Sequence, residues 1–333
     1  MTGDTITAVQ YGIGPIGQRV VEVAAERGIE FVGAIDIDPE KVGEDLGTVA
    51  DLSESLGVTV TDDPDEALGP DPDVVFHTTI SAIDSIGRQV EAAVAAGADV
   101  VSTTEELAYP WYHHPDAAAD LDELANEHGA TVLGTGINPG FAMDTFPAVL
   151  TAPCQTVDSV AVTRVQDAGV RRGPLQAKVG AGLSVERWER EIATKAGHVG
   201  LPESIAMLAG ALGWELDDIE ASIEPVVAET PVETGHASVA SGEAAGIHQV
   251  GTGIVGGEPA IELDLRMYVG AESPRDRVRI SGTPDLEVTV DGGFHGDVTT
   301  PAVVVNAVPR VLEAEAGLAT MIDLPTPRYT HLR

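Results

Sequence analysis

A strand, a glycine fingerprint, a helix and a second strand ending in an acid follow one another from Thr5 to Asp36, and that order constrains the fold more than anything else in the chain. Thr5–Tyr11 (TITAVQY) alternates and carries β-branched residues, as a strand does. GIGPIG then sets Gly12, Gly14 and Gly17 as G-x-G-x-x-G. Ile16, Val20, Val23 and Ala24 fall at helical spacing on one face, Pro15 suits a first turn, and Gly28 suits the stop. Phe31–Ile35 (FVGAI) runs into Asp36. Each part has its own task in holding a dinucleotide. Gly12 permits the tight turn, Gly14 lets backbone approach a pyrophosphate, and Gly17 lets helix and strand pack closely. The helix N-terminus offers free N–H groups to phosphates. Asp36 stands 19 residues after Gly17, close to the roughly 20 expected of the acid that binds a ribose 2′-hydroxyl. The competing reading is a glycine-rich turn followed by a solvated acid. Ile37, Asp38 and Pro39 supply no Arg or Lys for a 2′-phosphate, which favours NAD, with NADP admitted.

The 333 residues suffice for two domains, each with its own core. No stretch approaches the roughly 18 apolar residues of a membrane span. The start, MTGDTITAVQ, lacks the basic and apolar regions of a secretory signal, so a cytoplasmic location is expected. Cys154 is the single cysteine, which excludes an internal disulfide and offers no metal cluster. Acids number 54 against 18 Lys plus Arg, for a net charge of −36. Such a field repels nucleic acid and anionic membranes. The acids are scattered and the chain is 43% hydrophobic, so this is not a disordered acidic tail. Scattered acids, three lysines (Lys41, Lys178, Lys195) and few aromatics resemble proteins of extreme halophiles. Most acids therefore serve solubility, and an arbitrary Asp or Glu has little claim to catalysis.

Up to about residue 148 the pattern alternates strand and helix. Val58–Thr61, Asp73–Thr79, Asp99–Thr103 and Ala130–Gly136 read as strands, and Ser85–Ala96 and Asp116–His128 as helices. The expected fold class is α/β: an N-terminal Rossmann domain, a doubly wound parallel sheet, over 1–148. Over 149–299 the texture changes. Val157–Val165, Val226–Ala228, Ala260–Val269, Asp276–Ile280 and Leu286–Val290 read as strands, broken by glycine-rich stretches such as Gly251–Pro259. Val185–Thr194 and Pro202–Leu212 read as helices. This predicts an α+β domain for substrate binding and oligomerisation on an open, mixed, largely antiparallel sheet, and hence a homodimer or homotetramer. A last helix near Ala302–Ala314, interrupted by Pro309, is expected to return the segment of about 300–333 to the first domain.

In an open α/β sheet ligands sit beyond the carboxyl ends of the strands, so the segments that follow the strands are the ones to inspect. TTEELAYPW (Thr103–Trp111) is one. Neighbouring side chains on extended backbone point to opposite sides, so Glu105 and Glu106 cannot both face one site. A capping box from Thr103 to Glu106, or a plain surface acid, are the competing readings. GTGINPGFAMD (Gly134–Asp144) is another. Pro139 fixes its backbone, Gly140 permits positive φ, and Asn138 both donates and accepts, which suits a carboxamide or an amine. An Asn-Pro-Gly turn that caps the next helix competes with that. Gly292–Pro309 gathers His295, Asp297, Thr299, Thr300 and Asn306; there the simpler reading is a strand-to-helix connection capped by Asp297 or Thr299. Arg171 and Arg172 suit a carboxylate, or an ion pair at a subunit interface. His113–His114 lacks the spacing and partners of a metal site.

Together, GIGPIG, Gly33–Gly47, TTEELAYPW, GTGINPGFAMD and the tail HGDVTT…VVNAVPRVL…GLATMIDLP resemble the 2,4-diaminopentanoate dehydrogenases, native amine dehydrogenases with a dihydrodipicolinate reductase-like fold. The resemblance spans nearly the whole chain. It implies reversible oxidative deamination of a small amine or diamino acid with NAD or NADP, and a catalytic glutamate best matched by Glu105, with Glu106 as the fallback and Asn138 beside it. The cofactor set it suggests is Gly12, Gly14, Pro15, Ile16, Gly17, Asp36, Thr78, Thr79, Thr103 and Asn138. Phe141, Arg171, His295 and Asn306 are the substrate candidates. The paired-histidine and lysine motif of dihydrodipicolinate reductases proper is missing. Two alternatives stand beside it: a reductase of an imine or carbonyl on the same fold, and a non-catalytic NAD-binding protein.

Overall fold

Val20, Val21 and Ala24 of helix α1 (Pro15–Arg27) are sealed from solvent together with Gly17, each valine contributing about 2 kcal/mol of apolar burial. The buried stripe thus differs from the expected one: Ile16 and Val23 are only half-buried, because Gly17 is the residue that meets the sheet. The structure, a computed structural model, describes residues 5–193 and 199–330. Its contacts divide it into two units, one running to Phe141 and resuming at Gly296, the other Ala142–His295. Among the described residues no helix is long and apolar enough to cross a membrane.

The first unit holds strands β1 (Thr7–Tyr11), β2 (Glu30–Ile35), β3 (Val60–Thr61), β4 (Val74–His77), β5 (Asp99–Ser102) and β6 (Thr131–Gly134). Helices α1, α2 (Leu46–Val49), α3 (Pro64–Leu68), α4 (Gly87–Ala95) and α5 (Pro115–His128) connect them. Asp45 and Asp63 cap α2 and α3, and Gly28 and Gly129, both left-handed, end α1 and α5. The sheet is parallel throughout, and its order places β1 between β2 and β4. The winding therefore reverses between β1 and β4, the switch point at which such sheets hold ligands.

The second unit opens with α6 (Thr145–Leu150) and β7 (Thr156–Asp167). Helices α7 (Gly173–Lys178), α8 (Val185–Glu191) and α9 (Leu201–Leu212) follow. Thr194, the expected end of α8, lies outside the described residues. Next come β8 (Asp218–Val227), a small ribbon of β9 (Val232–Glu233) and β10 (Ser238–Val239), then β11 (Ala244–Val255), β12 (Glu258–Tyr268), β13 (Arg275–Thr283) and β14 (Leu286–Asp291). The six long strands form one sheet in the order β14-β13-β7-β12-β11-β8, antiparallel but for the β12–β7 pair. Two expectations need correction. The glycine-rich stretch does not break the sheet: Gly251 and Gly253 lie inside β11, and only Gly256–Gly257 turns. β8 begins well before Val226, because its alternating polar residues hid the strand.

The chain then returns to the first unit. Helix α10 (Gly296–Val311) starts earlier than expected and runs through both Pro301 and Pro309. Val304, Val305, Ala307, Val308 and Val311 are buried where it packs on α1 and β5, and that burial outweighs the roughly 3 kcal/mol a helical proline costs. A strand no pattern announced, β15 (Gly317–Ala319), then pairs in parallel with β6 at the sheet edge.

Candidate active site

The fingerprint loop is fixed by its own neighbours. Gln10 is fully buried and donates from Nε2 to Gly12 O and to Thr78 Oγ1, both at 2.8 Å. The Thr78 hydroxyl donates to the same carbonyl at 2.6 Å. Gly12 needs its positive φ of 87°, and a Cβ on Gly17 would lie 2.2 Å from Gly12 O, so neither tolerates a side chain. Gly14 differs: a Cβ there would meet nothing within 4 Å. Open space before the middle glycine, at the start of α1, is the cradle a pyrophosphate requires.

Asp36, at the end of β2, is held on both oxygens. Oδ2 accepts from the N–H of Ile13, inside the fingerprint, at 2.7 Å, and Oδ1 from the N–H of Asp38 at 2.9 Å. Lys41 Nζ donates to Oδ2 at 3.0 Å and lies 3.5 Å from Asp38 Oδ2. Burial pushes the Asp36 carboxyl up, but the Asp38 and Ile13 N–H groups and the Lys41 ammonium outweigh it and hold the acid below its ordinary value. The three residues after Asp36 contain no cation, but a turn in which Lys41 N–H donates to Asp38 O at 2.9 Å folds one back. That lysine is invisible to a reading of adjacent residues.

The exits of β4 and β5 are tied by a buried network around His77, which sequence reasoning also missed. His77 Nε2 lies 2.7 Å from Gln89 Oε1 and Nδ1 lies 2.8 Å from Ser102 Oγ. Ser102 Oγ in turn donates to Thr104 Oγ1 at 3.0 Å, and Thr79 Oγ1 lies 3.0 Å from Nε2. Thr79 donates to the same Gln89 oxygen at 2.9 Å, Thr104 donates to Ile80 O at 2.8 Å, and Thr103 N–H donates to His77 O at 2.9 Å. Burial pushes His77 down from 6.5 to about 4, against the opposing pull of its Gln89 bond, so the ring stays neutral. Thr78 and Thr79 are thereby set against Gly12 of the fingerprint, and Thr103 at the adjoining exit of β5.

Glu105 and Glu106 share a 3-10 turn, Glu105–Leu107, that lies flat on the end of β6: a Cβ on Gly134 would stand 2.4 Å from the Leu107 carbonyl carbon. Glu106 accepts from the Ile83 N–H at 2.8 Å and has His114 Nε2 at 3.6 Å. It caps the neighbouring segment, so the competing reading, a capping box with Thr103, does not form. Glu105 Oε2 is shielded from solvent. After β6, the Thr135 N–H donates to Ser102 O at 2.8 Å, and Gly140, at φ 120°, closes so tightly that a Cβ would lie 2.4 Å from Gly136 N. The Asn138–Pro139 bond is cis. Asn138 is buried, and neither Oδ1 nor Nδ2 has a hydrogen-bond partner among the described residues. Leaving a carboxamide so costs about 1–3 kcal/mol per group, which a bound ligand would recover. The turn does not cap the next helix; Asp144 does, accepting from Thr145 N–H at 2.5 Å.

Within the first unit, then, Gly12, Gly14, Pro15, Ile16, Gly17, Asp36, Thr78, Thr79, Thr103, Glu105 and Asn138 gather at or beyond the carboxyl ends of β1, β2, β4, β5 and β6, and Phe141 closes the loop that follows. Asn306 does not join them. Its Oδ1 accepts from Arg27 at 3.2 Å, and Arg27 ends α1, about 18 Å along the helix from the fingerprint. Arg171 and His295 belong to the second unit. There Arg171 is buried and adds its field to that of Arg164, whose guanidinium donates to Asp276 at 2.6 Å and to Phe294 O at 2.7 Å.

Comparison with known proteins agrees over nearly the whole length. A family model of the 2,4-diaminopentanoate dehydrogenase C-terminal domain matches residues 141–331, and one of the dihydrodipicolinate reductase N-terminus matches residues 8–133. The chain is 32% identical to 2,4-diaminopentanoate dehydrogenase of Acetoanaerobium sticklandii, with 98% of this chain and 95% of that one covered. It is 27% identical to an amine dehydrogenase of Streptomyces virginiae, with 96% of each covered. The solved structure of amine dehydrogenase from Mycobacterium smegmatis superposes with a TM-score of 0.86 at 27% identity, over 98% of both chains.

Proposed function

This chain belongs to the 2,4-diaminopentanoate dehydrogenase family, and from that premise we propose that it is a nicotinamide-dependent amine dehydrogenase with Glu105 as its acid/base. The reaction is amine + NAD⁺ + water to carbonyl + ammonium + NADH, run in either direction. When bound, the dinucleotide supplies the hydride acceptor at the carbon that bears nitrogen. The first unit's residues fit it: Gly14 leaves room for the pyrophosphate, and Asp36 stands where a ribose hydroxyl is read. Ile37, 86% exposed beside Asp36, offers an apolar surface to the adenine. The single observation that carries the reading is the buried Asn138, whose carboxamide lacks a partner among the described residues and which follows β6, the strand whose end the Glu105–Leu107 turn covers. It would bind the nicotinamide carboxamide or the substrate amine.

Glu105 would take the ammonium proton, then activate the water that attacks the imine. The bond between Glu106 and Ile83 supports Glu105 over its neighbour, because Glu106 already serves the fold. The test is a screen in molar salt of ketones with ammonia and NADH, and of 2,4-diaminopentanoate with NAD⁺. Glu105→Gln is expected to retain NAD binding and lose about 10²–10⁴ in kcat, while Glu106→Gln loses stability first. If Glu106→Gln alone removed turnover at intact stability, the roles would be reversed. Oxidation of NADH that ignores ammonia would instead mark a reductase of imines or carbonyls.

A further inference from the structure

We propose that Lys41 sets the choice between NAD and NADP, offsetting the charge of Asp36 so that a ribose 2′-phosphate is admitted. The inference rests on the dinucleotide reading of the first unit. An acid at the end of β2 discriminates in two ways: it accepts from a 2′-hydroxyl, and it repels a phosphate in the same place. Here the acid is not alone. Lys41 donates to Asp36 Oδ2 at 3.0 Å and lies 3.5 Å from Asp38 Oδ2, so one ammonium serves both carboxylates.

The remaining hydrogen bonds assign each oxygen a task. Oδ2 already accepts from the Ile13 N–H and Lys41, which fills its two lone pairs. Oδ1 accepts only from the Asp38 N–H and keeps one lone pair for a ribose hydroxyl. NAD is read by Oδ1. A 2′-phosphate cannot be read by either oxygen, but an ammonium has three protons on a flexible stem and transfers readily from carboxylate to phosphate. Lysine occurs three times in 333 residues, and in so acidic a chain a cation held against the ribose-reading acid is not background. Salt strengthens the argument. In molar salt the Debye length is roughly 3 Å, so only a contact ion such as Lys41 still discriminates, and the distant acids do not.

The test is calorimetric binding of ADP-ribose and 2′-phospho-ADP-ribose, at one salt concentration, to the full chain and to Lys41→Gln, Lys41→Arg and Asp36→Asn variants. The unchanged protein is expected to bind both probes within about 30-fold of each other. Lys41→Gln is expected to lose at least ten times more affinity for the 2′-phosphorylated probe than for ADP-ribose. Lys41→Arg should keep the balance, and Asp36→Asn should shift it towards the phosphorylated probe. Equal losses for both probes in Lys41→Gln would mean that Lys41 only aims Asp36, and would overturn the inference, as would an unchanged ratio. If ADP-ribose bound and the phosphorylated probe did not, the inference would fail while the dinucleotide reading stood. Failure of both probes to bind would remove that reading as well.

Discussion

Between Gly12 and Gly17 the first unit sets one glycine, Gly14, where a loop faces open space; in β11 the second unit sets Gly251 and Gly253 inside a strand beneath a helix. The chemistry is the same, a missing Cβ, yet what fills the gap differs. A Cβ on Gly17 would strike the loop's own carbonyl at 2.2 Å, and one on Gly14 would meet nothing. A Cβ on Gly251 would lie 2.7 Å from Ile205 Cδ1, and one on Gly253 2.8 Å from Ile205 Cγ2. The first set shapes a cradle; the second lets α9 settle on its sheet. Glycine spacing alone does not tell these apart. The strand–turn–helix context and the acid after β2 do.

The largest contrast comes from placing alanine at the last and at the middle glycine of the cradle, Gly17 and Gly14. Gly17→Ala pushes backbone against backbone, so an expected loss of about 3–5 kcal/mol in stability accompanies lost nucleotide binding. Gly14→Ala should leave the melting temperature within about a degree and still weaken NAD binding tenfold or more, about 1.4 kcal/mol. Thermal melts and calorimetry in one buffer decide it. If Gly14→Ala melted early, or bound NAD normally, the open space before Gly14 would not be the pyrophosphate's.

The units also bury charge differently. The second encloses the Arg164–Asp276 ion pair, whereas the first encloses a neutral imidazole. His77 is held at about 4 against an ordinary 6.5. A lowered value means the unfolded chain takes up the proton first. The stability His77 provides is thus complete above pH 6.5 and is lost as pH falls from 6.5 to about 4, to a total of about 3 kcal/mol. His77→Gln should be less stable at pH 7.5 and fall less steeply over that window, by close to one proton. Denaturant melts at several pH values measure it. Equal slopes in the two proteins would show that His77 titrates normally and does not tie the β4 and β5 exits together.

How far the sequence carried depends on where the determining contact lies. The β1–α1–β2 unit was legible because its signals are local: periodicity, a proline at the helix start, glycines at turns, an acid at a set distance. Strand alternation separates Glu105 from Glu106 without saying which faces inward; the bond from Ile83 to Glu106, which supports Glu105 as the proposed acid/base, crosses from another segment. Lys41 and His77 were missed for the same reason. Their partners come from a turn and from neighbouring strands, and no pattern in adjacent residues marks them. Asn306 was misplaced because the contact that holds it, from Arg27 at the far end of α1, crosses between distant segments. β11 was hidden because glycine reads as a breaker until the helix above it is known.

That last point carries the smallest and most specific test. Gly251→Ala puts a methyl group 2.7 Å from the tip of Ile205 and 3.1 Å from Leu201 Cδ2, both flexible ends rather than backbone. Overpacking of this kind costs about 1–3 kcal/mol, partly offset by the 0.5–1 kcal/mol that alanine gains over glycine in a strand. A net loss of about 1 kcal/mol is expected, with NAD affinity unchanged, opposite to Gly14→Ala. Ile205→Val alone should also cost about 1 kcal/mol, by opening a small cavity. The two changes are complementary, because valine lacks the Cδ1 that the new methyl group meets. The double variant should therefore be more stable than the sum of the single losses predicts, by about 0.5 kcal/mol or more in a mutant cycle. Strict additivity would mean that α9 does not rest on the missing Cβ of Gly251, and a fall in NAD affinity would mean that the glycines of the two units are not doing separate work.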